Sequence, residues 1–96
     1  MNENEHLLLC LAEECDEVGQ RVMKALRFGL HEVQPGQPLN NAERIVEELH
    51  DLITVATILH TRNVLRSPMP TPDKGSAKWA KIKKFMAISR KQGVLA

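Results

Sequence analysis

From Glu5 to Phe28 apolar residues recur at Leu8, Leu11, Cys15, Val18, Val22 and Ala25. Steps of three and four are the signature of one helical face, so a first helix is expected over residues 5–28. Gly29 supplies the residue that tolerates positive φ at a C-terminal cap. Residues 29–40 contain Gln34-Pro35-Gly36-Gln37-Pro38 and read as a loop. Asn40 followed by Glu43 has the form of an N-cap with its capping-box acid, and opens a second helix over 41–62. Its apolar row is Ile45, Leu49, Leu52, Ala56 and Leu59. Pro68, Pro70 and Pro72 mark residues 63–75 as a semi-rigid connector. A third helix is expected over 76–91, burying Trp79, Ile82, Phe85 and Met86.

Three helices in 96 residues predict an all-α fold, a single domain over 1–96 built as a helical bundle. One such bundle has a thin core, which favours self-association to a homodimer or homotetramer. Aromatic residues are only 3% of the chain and Tyr is absent, which argues against a base-stacking platform for single-stranded nucleic acid. The apolar run Leu7 to Ala12 is too short to span a membrane, and the residues before it are acidic, unlike a signal peptide. Cys10 and Cys15 lie about 140° apart around a helix and cannot pair within it. Free thiols and no targeting segment fit a cytoplasmic protein.

Charge is sharply segregated. Residues 1–60 carry eleven acids and four bases, a net −7, whereas residues 61–96 carry one acid and nine bases, a net +8. Glu13, Glu14, Asp16 and Glu17 crowd the first helix, and Glu47, Glu48 and Asp51 the second. Like charges three or four apart destabilise a helix by about 0.2–0.5 kcal/mol per pair. Neither group sits in a first turn, where the helix dipole would offset the repulsion. Glu14 falls three after Leu11 and four before Val18, and Glu48 three after Ile45 and four before Leu52. Both therefore interrupt or border an apolar row instead of lying on the opposite face. Packed face to face, the pairs Glu14/Glu17 and Glu48/Asp51 would form a four-carboxylate cluster that needs a cation. Oxygen donors without cysteine suit Mg²⁺, with Mn²⁺ as a substitute.

Glu13-Glu14-Cys15-Asp16-Glu17 resembles the EExxE motif, and Glu48-Leu49-His50-Asp51 the ExxD motif, of the MazG-type all-α nucleoside triphosphate pyrophosphohydrolases, relatives of the dimeric dUTPases. The resemblance extends over about residues 5–91 and includes small phage-encoded members, which would act in the host cytoplasm. It implies Mg²⁺-dependent cleavage of a ribo- or deoxyribonucleoside triphosphate to the monophosphate and pyrophosphate. By position it implies a catalytic set of Glu13, Glu14, Glu17, Glu48 and Asp51. Glu14, Glu17, Glu48 and Asp51 would hold the metal, while Glu13 would be a further ligand or would orient the attacking water. Thirty residues separate Glu17 from Glu48. The first acid pair lies roughly 20 Å before Gly29 and the second roughly 13 Å after Asn41. The loop must climb back along the bundle, the helices must cross obliquely, or the pairs must meet across a subunit boundary.

Lys78, Lys81 and Lys84 extend one basic side of the third helix, joined by Lys74 if that helix starts early. With Lys24, these are candidates to bind substrate phosphates; Arg21 reads as a simple surface partner of Glu17, four residues earlier. Two other functions are open to this pattern. Glu47-Glu48-Leu49-His50 has the Glu-x-x-His form of a di-iron carboxylate bundle, although His50 and Asp51 diverge by about 100° around the helix. A non-enzymatic helical interaction module is the other. Nucleic-acid binding by the basic helix is disfavoured by the −7 of residues 1–60.

Overall fold

The computed structural model describes all 96 residues as three helices with no strand: α1 (Glu3–Phe28), α2 (Asn41–Thr61) and α3 (Pro72–Lys91). The expected all-α class is what forms. α1 starts two residues earlier than its apolar row suggested because Asn2 caps it. The Glu5 amide donates to Asn2 Oδ1 at 2.8 Å, and the Asn2 amide donates to Glu5 Oε2 at 3.0 Å. Asn40 and Glu43 make the same reciprocal box on α2, at 2.8 and 3.1 Å. Each box satisfies helix-end amides that have no partner within the helix.

α3 begins at Pro72, four residues before the expected Ser76. Thr71 caps it, and Pro72 takes the first helical position, where a missing N–H is not needed and its fixed φ already suits a helix. Gly75 sits inside that first turn. The early start brings Lys74 onto the helix. Asn63, at φ 60°, ends α2 in the left-handed conformation, with the Val64 amide donating back to the Leu59 carbonyl at 2.9 Å.

α1 and α2 pack as an antiparallel hairpin around Leu59, Ala25 and Ala56. The inner row of α1 is Leu7, Leu11, Glu14, Val18, Arg21 and Ala25. Leu8, Cys15 and Val22, expected in the stripe, are exposed on its edge. On α2, Leu49 is likewise exposed while Ile45, Glu48, Leu52, Ala56 and Leu59 face inward.

The loop resolves the register mismatch by climbing back along the hairpin. The Asn41 amide donates to the Glu32 carbonyl at 3.1 Å and the Ala42 amide to the Leu30 carbonyl at 3.0 Å. Asn41 itself is 2% exposed, and its Nδ2 donates to the Gly29 carbonyl at 2.8 Å. Arg44 reaches Gln34 Oε1 at 2.7 Å, tying down the Pro-Gly turn. At the far end, Arg62 pairs with Glu3 at 2.7 Å and donates to Asn4 Oδ1 at 3.0 Å. The register is thus pinned at both ends.

α3 stands apart, with none of its Cα atoms within 8 Å of α1 or α2. Trp79 and Phe85 are 54% and 53% exposed, and Ile82 is exposed too, so the core expected of them does not form within one chain. The radius of gyration is 16.8 Å, against about 12.5 Å for a compact chain of this length.

Removing the buried amide leaves the Gly29 carbonyl without its donor. Asn41→Ala is expected to lower the unfolding free energy in urea by about 1–3 kcal/mol, and an unchanged midpoint would show that the loop is not anchored there.

Candidate metal centre

Halfway along the hairpin the two helices bring acids, not aliphatic side chains, into their seam. Carboxylate oxygens of Glu14, Glu17 and Glu48 lie within 4.8 Å of one another. Glu14 and Glu48 are half-buried, while Glu17 stands exposed at the mouth. Glu14 Oε2 and Glu48 Oε2 are shut off from solvent with no hydrogen-bond partner. Buried polar atoms are paired in the great majority of cases, so two orphaned carboxylate oxygens in one seam are an exception that calls for an explanation.

Arg21 is the residue that sequence reasoning misplaced. It does not pair with Glu17: the only ion pair within 4 Å in the chain is Arg62 with Glu3. Arg21 is half-buried, and its Nη1 is also shielded and unpartnered. The signal was present in the sequence, since Arg21 falls three after Val18 and four before Ala25, on the inner row.

Burial pushes the Glu48 carboxyl up from its ordinary value of 4.5; a side-chain hydrogen bond with Glu17, then repulsion from Glu17 and Asp51, push it further, and Arg21 opposes them. Asp51 thus lies close enough to act on Glu48, yet it is exposed and outside the three-acid group. Glu13 is exposed, about 120° around α1 from the inner row. Lys24 is half-buried one turn beyond Arg21. Lys78, Lys81 and Lys84 ride on α3 and approach none of these acids within the chain. His50 is exposed and outside the group, so the Glu-x-x-His pattern does not place an imidazole beside the carboxylates. Cys10 and Cys15 are free thiols.

Three carboxylates from two adjacent helices fit a hard divalent cation. Mg²⁺ binds through one or two carboxylates with water and phosphate oxygens completing an octahedron, and a modest contraction from 4.8 Å would bring these oxygens to such spacings. The chemistry of such a centre is polarisation of phosphoryl oxygens and activation of water. No helix is long and apolar enough to cross a membrane. No protein-family model, curated protein or solved structure matches the chain.

The raised Glu48 pKa has a definite sign. Folded chain keeps the Glu48 proton to higher pH than unfolded chain, so this contribution to stability falls as pH rises from 4.5 through the raised value, then levels off. Without cation, Glu48→Gln is expected to unfold a few degrees higher than the parent at neutral pH and to lose that slope. With Mg²⁺ or Mn²⁺ at about 100 times its Kd the parent should gain about 2.7 kcal/mol, and the variant much less. Equal cation-induced shifts in the two melting temperatures would remove Glu48 from the centre.

Proposed function

We propose that this protein is a Mg²⁺-dependent nucleoside triphosphate pyrophosphohydrolase, with Mn²⁺ able to substitute. The observation that carries the reading is the pair of shielded, unpartnered oxygens of Glu14 and Glu48, joined by Glu17, in the middle of the α1–α2 seam. The order of the acids along the chain, resembling EExxE and then ExxD on successive helices, supplies the reaction class.

Glu14, Glu17 and Glu48 would hold the cation, with Asp51 one turn along α2 as a fourth oxygen donor. A cation held by these carboxylates would supply positive charge for the phosphoryl oxygens and for acidifying water. Glu14 and Glu48 are already held in the seam by helix packing, so little ordering remains when the ion arrives. Arg21 lies on the inner row seven residues after Glu14, and Lys24 lies seven residues, two turns, beyond Glu17; both offer positive charge to phosphate oxygens. Overall, water adds across the α–β anhydride, that P–O–P link breaks, and nucleoside monophosphate, pyrophosphate and a proton are released.

The working form is a homo-oligomer, a dimer or a tetramer. The chain exposes 7576 Å², about 2000 Å² more than the roughly 5500 Å² expected of a compact monomer of 10.8 kDa. Leu8, Cys15 and Val22 on α1 and Leu49 and Ile53 on α2 are exposed along one side of the hairpin, opposite the side of Glu17 and Asp51.

Pyrophosphate release from a panel of ribo- and deoxyribonucleoside triphosphates with Mg²⁺ tests the reading. Glu48→Gln is expected to lower kcat/KM at least about 100-fold, since loss of a ligand should exceed the 10- to 100-fold effect of an outer-sphere partner. No release from any nucleotide by folded, cation-stabilised protein would overturn it.

A further inference from the structure

α3 is a 20-residue helix that touches neither α1 nor α2. Trp79, Ile82, Phe85 and Met86 fall within about 120° of its surface; Lys74 and Lys81 adjoin one edge of that row and Lys78 falls just inside it. Lys81 Nζ stands 6.0 Å from the centre of the Phe85 ring, and Lys83 Nζ 5.9 Å from that of Trp79. An exposed apolar row flanked by lysines suits an acidic partner surface.

We propose that α3 is an exchanged arm: its apolar row docks on the α1–α2 hairpin of a second copy, and Lys74, Lys78 and Lys81 then lie beside that copy's acids. Three observations select a second copy as the occupant. The first is charge: the segment carrying the arm is +8 and the segment carrying the hairpin is −7. The second is area. The excess of about 2000 Å² per chain amounts to about 4000 Å² for a pair, within the 2000–5000 Å² buried in obligate homodimers. The third is fit. The acid side of the hairpin is bounded by exposed Phe28 near one end and exposed Ile58 near the other, roughly 30 Å apart, and a 20-residue helix is about 30 Å long.

Exchange is reciprocal, so each site takes acids from one copy and bases from the other. The docking itself follows from surface and charge alone. The role of the lysines in holding triphosphate rests on the proposed pyrophosphohydrolase reading.

Photo-crosslinking of the full chain separates the two. Phe85 is replaced by the photoreactive p-benzoylphenylalanine, or Trp79 in a second preparation, both positions free of contacts that folding requires. Equal amounts of ¹⁵N-labelled and unlabelled protein are mixed, irradiated and mapped by mass spectrometry. Exchange predicts mixed-isotope links from the arm to peptides of α1 and α2. Links within one isotope only would mean that the arm folds back on its own hairpin. Links from arm to arm, or a monomer with no links, would equally overturn the proposal.

Activity then tests the lysines. Glu48→Gln and the triple variant Lys74→Ala/Lys78→Ala/Lys81→Ala are each expected to be nearly inactive. Mixed in equal amounts, they should recover about a quarter of the parent rate, because half the dimers are mixed and each holds one intact site. No recovery, with an active parent, would remove the lysines from the partner's site. An inactive parent would sink the pyrophosphohydrolase reading and leave the docking to be judged by the crosslinks.

Discussion

The hairpin is organised around a repulsion. Its antiparallel register sets Glu14 against Glu48 at mid-seam, where aliphatic pairs would otherwise stabilise the contact, and each acid hides an oxygen that nothing in the chain satisfies. An unsatisfied buried polar group costs about 1–3 kcal/mol, and more if charged. A hairpin carrying that penalty must hold its register by other means. It does so at its ends: the capping box and the Asn41 amide at one, the Arg62 contacts with Glu3 and Asn4 at the other. Leu59, Ala25 and Ala56 supply the remaining closely packed contact. The stabilising interactions thus flank the acids and leave them unsatisfied.

How much of this the sequence discloses depends on how local the cause is. Caps are local, so Asn40 with Glu43 places the start of α2 correctly, and Asn2 with Glu5 would have placed α1 by the same rule. Pro72 misleads because proline is read as a breaker, while at the first helical position, after a capping Thr71, it favours the helix. The phase of the α1 row is a tertiary matter. Leu8, Cys15 and Val22 look like core because they are apolar, but the seam that forms takes Leu7, Glu14 and Arg21 instead. Hydrophobic periodicity alone does not reveal that a carboxylate and a guanidinium belong inside. A climbing loop was one of three arrangements the spacing allowed, beside an oblique helix crossing and acid pairs meeting across a subunit boundary. Its agents, the Asn41 amide with Glu32 and the Ala42 amide with Leu30, were not legible, because those bonds join residues nine and twelve apart through a non-repetitive path.

The segregation of charge takes on meaning beside the absence of any contact between α3 and the hairpin. Had the lysines been interspersed among the acids of α1 and α2, short-range pairs would form in every free chain, as Arg62 and Glu3 do. A cation would then have to displace an ammonium group to reach Glu14 or Glu48. Keeping seven of the nine late bases on the third helix and its first turn leaves the acid seam uncompensated in the isolated hairpin. Arg21 alone remains close, and it too is left without a hydrogen-bond partner at Nη1.

The two proposals therefore draw on one physical fact from opposite sides. A seam of unpaired carboxylates attracts divalent cation strongly but repels a triphosphate, whose own charge is of the same sign. Under the two proposals a cation would reverse that sign locally, and an arm of lysines would extend the reversal. If the arm comes from a second copy, bases and acids meet only when the assembly forms. The acids of a lone chain then stay open to metal, and the complete phosphate site exists only in the oligomer. Apolar surface on α3 that has no purpose within one chain would in this way tie assembly to the completion of the site.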